Sequence, residues 1–201
     1  MKAVIFDLDG VLVPTDVMHK TALQNAMYLV LNSVPPGLID LSEKSQGSTI
    51  EKVDYLQSIY GFSNNLKISI LNQKDKIFQS MTDDIKVLPN VIKCLDFLNS
   101  RHIPMAIASN SRHVNISKVL GASGLSIYFG VVVSAEDVAN RKPAPDILFE
   151  VYRQLGIDGK ETLFVEDSDE GAEAGHRSPS TVIRIDCPKD LKASLFKAWI
   201  K

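Results

Sequence analysis

The chain has 201 residues, 45% of them hydrophobic, which is enough to bury the core of one domain and carry an inserted module. Its 22 basic and 24 acidic residues are interspersed and leave a net charge of −2, so the sequence lacks the sustained positive field that holds nucleic acid or an anionic membrane surface. Cys94 and Cys187 lack zinc-type spacing and are expected as buried thiols in a reducing cytoplasm. No stretch approaches the ~18 apolar residues of a membrane span, and the opening apolar run is too short for a signal peptide.

KAVIF (2–6) is a β-branched apolar run suited to a strand covered on both faces. Asp7 and Asp9 interrupt it at once, and Gly10 then allows the backbone to turn. Burying either carboxylate without a partner is costly, so the stretch reads as a strand emptying into a loop that presents acids. Past Thr15 and Asp16, which suit a helix N-terminus, Met18, Ala22, Leu23, Ala26, Met27 and Val30 recur at helical spacing. Ser48 and Glu51 form a capping box. Ile50, Val53, Leu56 and Ile59 continue as an apolar stripe until Gly61 ends it. Leu66 to Met81 gives a third helical pattern, and no strand is expected between Pro14 and Ile85.

The texture changes from Leu88. A helix opening at Pro89 is followed by strand candidates at PMAIAS (104–109), GVVVS (130–134), TLFVE (162–166) and TVIRI (181–185), with helical patterns between them. This alternation predicts an α/β fold: a parallel sheet flanked by helices, with ligands gathered beyond the carboxyl ends of its strands. The expected layout is a discontinuous core, 1–14 plus 86–201, carrying an inserted all-helical cap domain over 15–85.

Polar residues follow several of these strands at the same edge: Asp7 and Asp9 after the first, Ser109 and Asn110 after the second, Glu166 and Asp167 after TLFV. Lys142 stands in the loop RKPAPD (141–146). Singly, each has an ordinary explanation as a turn, a cap or a solvated lysine. Jointly they suit phosphoryl transfer. Clustered carboxylates repel one another unless a cation is present, and hard oxygen ligands specify Mg²⁺. A phosphate beside them needs a hydroxyl, backbone N–H groups and a lysine to neutralise and orient it.

In DLDGVLV (7–13), ASNS (108–111), RKPAPDI (141–147) and VEDSDEG (165–171), in this order, the chain resembles the haloacid dehalogenase superfamily of phosphohydrolases, in its β-phosphoglucomutase-like branch with a helical cap. The resemblance implies a Rossmann-like core and a small phosphorylated metabolite as substrate. It makes Asp7 the nucleophile that forms an aspartyl-phosphate, and Asp9 the acid that protonates the leaving oxygen and then activates water. It assigns Ser109 and Lys142 to the transferring phosphoryl group, with the Asn110 N–H as helper. Mg²⁺ falls to Asp7, the Asp9 carbonyl and Asp167, with Glu166 a ligand or an outer partner. Dehalogenase and phosphonate-cleaving branches lack the acid that this chain keeps at Asp9. Pro14 and the charged AEAGHRSPS (172–180) depart from the family pattern, and a shorter helix is expected over the second stretch.

Specificity is expected from the cap, where Thr15, His19 and the stretch around Gly47 fall nearest the expected cleft. Mutase relatives need a cationic residue shortly after the glycine matched by Gly47, and Ile50 stands there, which favours net hydrolysis of a phosphomonoester, for instance a sugar phosphate. A phosphosugar mutase and a non-catalytic phospho-ligand sensor are the competing readings.

Overall fold

The computed structural model of the chain describes residues 2–32 and 48–200. Gly47 and the stretch leading to it lie outside these residues. The chain divides into two compact units, Met1–Pro14 with Asp84–Lys201, and Thr15–Asp83.

The first unit is an α/β fold built on a parallel five-stranded sheet in the order β3-β2-β1-β4-β5. The strands are β1 (Ala3–Phe6), β2 (Met105–Ala108), β3 (Val131–Val133), β4 (Thr162–Glu166) and β5 (Thr181–Arg184). All five strand candidates form. β1, β2 and β4 are buried along their whole length, the pattern of strands covered on both faces. One face of the sheet supplies Ile5, Ala106, Ala108, Val133 and Phe164 to a cluster completed by Ile147, Leu148, Val151 and Tyr152 of a helix over Asp146–Leu155. Phe6 makes edge-on contacts with Phe129 and Phe196. The chain builds outward from β1 through β2 to β3, then returns to place β4 on the other side of β1. That reversal opens a crevice at the carboxyl ends of the central strands.

The second unit contains α1 (Asp16–Leu31), α2 (Thr49–Tyr60) and α3 (Asn64–Met81), and no strand among its described residues. The Ser48–Glu51 capping box is present, with the Ser48 N–H donating to Glu51 Oε2 at 2.7 Å and Gly61 closing α2 in the left-handed conformation. Leu23, Ala26 and Met27 of α1 meet Val53, Leu56 and Ile70 in one core. The apolar stripe of α2 ends at Leu56, because Ile59 is 54% exposed. α3 begins two residues before the periodicity shows, where the Ser63 hydroxyl accepts the Leu66 N–H.

The remaining helices of the first unit are α4 (Pro89–Asn99), α5 (His113–Ser123), α6 (Asp146–Leu155) and α7 (Asp169–His176). α7 stops at His176, eight residues long, before the polar run reaches Pro179. Cys94 is buried, which pushes its thiol up to about 12. Cys187 corrects the expectation of two buried thiols. It is only half-buried, because it follows the end of β5 and enters a 3-10 turn rather than sitting in a strand, and its Sγ lies 3.5 Å from Asp190 Oδ2. Among the described residues no helix is long and apolar enough to cross a membrane.

Candidate active site

β1 delivers Asp7 to the carboxyl edge of the sheet, where its N–H donates to Val165 O at 2.9 Å and so ties it to β4. Leu8 turns into the core, and Gly10 takes a φ of 81° before its N–H donates to Val13 O at 2.8 Å. A side chain at Gly10 would be strained and would also run into the Asp167 carboxylate. The tight turn therefore lets the loops after β1 and β4 close on each other, and the half-buried Asp9 follows Asp7 on the same loop.

Lys142 is the centre of charge. Its Nζ lies 2.6 Å from Asp7 Oδ1 and 2.8 Å from Glu166 Oε2, and all three side chains are buried. Asn110 holds the Lys142 backbone from both sides: its Nδ2 donates to Lys142 O at 3.1 Å and its Oδ1 accepts the Lys142 N–H at 3.0 Å. This placement of the Asn110 amide was not foreseen. Ser109 is buried at the end of β2, its N–H donating to Val133 O at 3.1 Å and its Oγ accepting the Ser111 N–H at 3.1 Å.

Glu166 Oε1 accepts three bonds, from Asp167 N at 3.0 Å and from Ser168 N and Oγ at 2.9 Å each. With Lys142 on Oε2, both of its oxygens are engaged. Gly171 makes the arrangement possible, since a Cβ there would fall on the Glu166 carboxylate. That carboxylate is buried and held by four bonds, so it cannot swing aside. Gly171→Ala is accordingly expected to destabilise the protein by about 1–3 kcal/mol, read as a lower denaturant midpoint at unchanged slope.

Asp7, Glu166 and Asp167 offer carboxylate oxygens within 4.8 Å of one another. Asp7 and Glu166 share the Lys142 ammonium, and Asp167 and Asp9 add their charges beside Asp7. Burial pushes Asp7 well above the usual carboxylate range, and Glu166, Asp167 and Asp9 push it further, against the pull of Lys142. Burial opposes ionisation of Glu166 too, but there Lys142 and the Ser168 donors prevail and hold it below its ordinary value. Lys142 stays above its ordinary value because Asp7 and Glu166 together outweigh its own burial. A site that wants one more positive charge, built from hard oxygen donors, fits a small divalent cation.

Two further contacts were not foreseen. Ser111 Oγ donates to Asp9 Oδ2 at 2.8 Å, fixing a carboxylate 102 positions away. Its loop is fixed in turn by Glu136, which accepts the His113 N–H at 2.8 Å and Arg112 Nε at 3.1 Å and is held below its ordinary value first by that N–H. In the helical unit, Thr15 is buried at the start of α1 without capping it. His19 stacks on Phe78 with ring centres 4.0 Å apart and sets Nδ1 2.9 Å from Nζ of the buried Lys74. An ammonium can only donate, so Nδ1 is the acceptor in this contact. The structure thus brings Asp7, Asp9, Ser109, Asn110, Lys142, Glu166 and Asp167 to one sheet edge, and places Thr15 and His19 in the helical unit.

An aspartate at the end of the central strand, beside a buried lysine and a carboxylate cluster, is the arrangement of a hydrolase-like α/β enzyme, and sequence comparison agrees. The profile of the haloacid dehalogenase-like hydrolases matches residues 1–178, and the chain belongs to that family. It is similar to a phosphorylated carbohydrates phosphatase of Thermotoga maritima, 28% identical over 182 residues that cover 87% of this chain and 80% of that protein. A bifunctional riboflavin kinase/FMN phosphatase of Arabidopsis thaliana is 36% identical over 110 residues, 54% of this chain, which spans only 29% of that longer protein. The crystal structure of a β-phosphoglucomutase from Clostridium difficile shares the fold, with a TM-score of 0.84 and 24% identity, covering 100% of this chain and 97% of that one.

Proposed function

We propose that the protein is a Mg²⁺-dependent phosphatase that hydrolyses a small phosphomonoester through a phospho-Asp7 enzyme. The observation that carries this reading is Lys142, buried and bridging Asp7 and Glu166 at the strand ends while Asp167 and Asp9 stand beside them. Asp7 attacks phosphorus as the bond to the leaving oxygen breaks, and Asp9 gives that oxygen its proton. Asp9 then takes a proton from water, whose oxygen bonds to phosphorus as the Asp7–phosphorus bond breaks, and inorganic phosphate leaves. The ion would be held by Asp7, Asp167 and the Asp9 carbonyl, and it supplies charge neutralisation for the phosphoryl oxygens. Glu166, with both oxygens engaged, keeps Lys142 and the Asp167 backbone in place rather than spending an oxygen on the ion. Ser109 and Lys142 grip the phosphoryl group, and Ser111 keeps Asp9 aimed.

The Thermotoga relative supports a sugar phosphate as substrate. Ile50, where a mutase needs a cation, supports release of phosphate over its return to the sugar. The test is phosphate release from p-nitrophenyl phosphate and a panel of sugar phosphates, with Mg²⁺ and after its removal by EDTA. Steady turnover that vanishes with EDTA and returns with Mg²⁺ is the expected result. Conversion of β-glucose 1-phosphate to glucose 6-phosphate without free phosphate would establish the mutase instead, and phosphate binding without turnover would establish a sensor.

A further inference from the structure

Arg184 ends β5, the outermost strand on its side of the sheet, and its exposed guanidinium reaches back over the turn that follows β4. One Nη donates to the Ser168 carbonyl and the other lies 2.8 Å from Asp169 Oδ1. The backbone makes this reach natural. Arg184 is the register partner of Glu166, and the Ile185 N–H donates to Glu166 O at 3.0 Å, so the strand is laced to the residue that begins the turn. The side chain crosses the same turn two residues later.

What it crosses is the link between the sheet and the carboxylate cluster. Ser168 donates twice to Glu166 Oε1, and its Oγ also accepts the Gly171 N–H at 3.0 Å as the cap of α7. Glu166 in turn holds Lys142, and Asp167 stands between the two anchored residues. A displacement of Ser168 therefore reaches Asp167 through the backbone and Lys142 through Glu166. A planar guanidinium with two donors aimed at two acceptors on one turn suits holding a loop in register, which a lysine's single point charge does not.

We propose that Arg184 is a positioning residue for the metal centre, strapping Ser168 and Asp169 so that Asp167 is held at its place beside Asp7. The inference rests on the reading of Asp7 and Asp167 as metal ligands. Arg184 touches neither substrate nor ion. It also borders an open surface cleft of about 440 Å³ shared with Asp169, Glu173, His176 and Arg177. Truncation at 184 would leave a guanidinium-sized space that solvent can reach.

Mn²⁺ binding to the full chain, followed by electron paramagnetic resonance without substrate, tests the strap apart from turnover. Arg184→Ala is expected to raise the Mn²⁺ dissociation constant about 10-fold, the lower end of the effect of losing an outer partner of a metal site. Millimolar guanidinium should recover most of that loss by entering the cleft, a rescue that a purely structural role would not give. Arg184→Lys should fall between wild type and Ala, and it carries the test if the Ala variant does not fold. Arg177→Ala, whose partner is Glu173 in the helix that Arg177 follows, should leave Mn²⁺ affinity unchanged. Wild-type affinity in Arg184→Ala, a loss that guanidinium does not reverse, or an equal loss in Arg177→Ala would each overturn the proposal. Absence of Mn²⁺ binding in the wild type would overturn the metal reading itself.

Discussion

Asp7→Asn is expected to lower kcat by about 10⁴- to 10⁶-fold, the range over which loss of a nucleophile leaves only binding and electrostatic stabilisation. An amide oxygen of the same shape is a far poorer nucleophile, and it supplies no negative charge to the ion. Rapid-quench labelling with a radioactive phosphoester should trap phospho-protein in the wild type and none in Asp7→Asn. Asp9→Asn separates the two roles, since the aspartyl-phosphate still forms from a substrate with a good leaving group and its hydrolysis slows. The stability of the metal-free protein sharpens the test. Burial and the neighbouring acids raise Asp7 above its unfolded value, so the stability linked to it is present at low pH and is lost as pH rises through the raised folded value. Asp7→Asn should remove that decline from the pH profile of the denaturant midpoint. Saturating Mg²⁺ should remove it in the wild type, because a cation does the work of the proton. A phospho-protein of wild-type yield in Asp7→Asn would refute the assignment of the nucleophile.

How much of this was legible in the sequence depends on how far apart the interacting groups lie. The strands were legible because a doubly covered parallel strand needs a continuous apolar run, and AVIF, MAIA and TLFVE have few other uses. The acids and Lys142 were legible because the ends of such strands gather in one place. The serines that organise them were not. Ser111 and Ser168 look like ordinary turn and cap residues, and Ser168 does cap α7 while also donating to Glu166. The acceptor of Ser111 lies on a different strand's loop, so no local pattern marks it. Arg184 reads as the polar position of an edge strand, and only the fold shows that its side chain returns across the turn after β4.

The helical unit gives a case where the signal was present and passed over. Ile70, Lys74 and Phe78 recur every four residues along α3, so Lys74 occupies a position in an apolar stripe, and it is buried with Asp75 beside it at 3.8 Å. A charge at a stripe position asks for a partner, and His19 meets it from a helix 55 positions earlier.

Lys142→Met is expected to be the most destabilising single substitution at the site, costing about 3–5 kcal/mol in the metal-free protein, because it leaves the buried Asp7 and Glu166 without their shared cation. That is a large part of the roughly 5–15 kcal/mol by which a domain of this kind is stable. Methionine keeps most of the side-chain length, so the loss reports charge more than volume. The pH dependence distinguishes this from a packing defect. Lys142 lies above its unfolded value in the folded protein, so the stability it contributes is fully present below that unfolded value and is lost as pH rises through the folded one. Glu166, held below its ordinary value, contributes stability above its unfolded value and loses it as pH falls through the folded one. In Lys142→Met that contribution disappears with its cause, and Asp7 rises further, so the variant should recover stability towards acid pH, where both carboxyls can take protons. Denaturant midpoints measured from mildly acidic to mildly alkaline pH should therefore show wild type and variant converging at the acid end and diverging above it. A constant gap across that range would mean that Lys142 matters for its packing against Phe164, 4.9 Å from its Nζ, and that the carboxylates are held by something else.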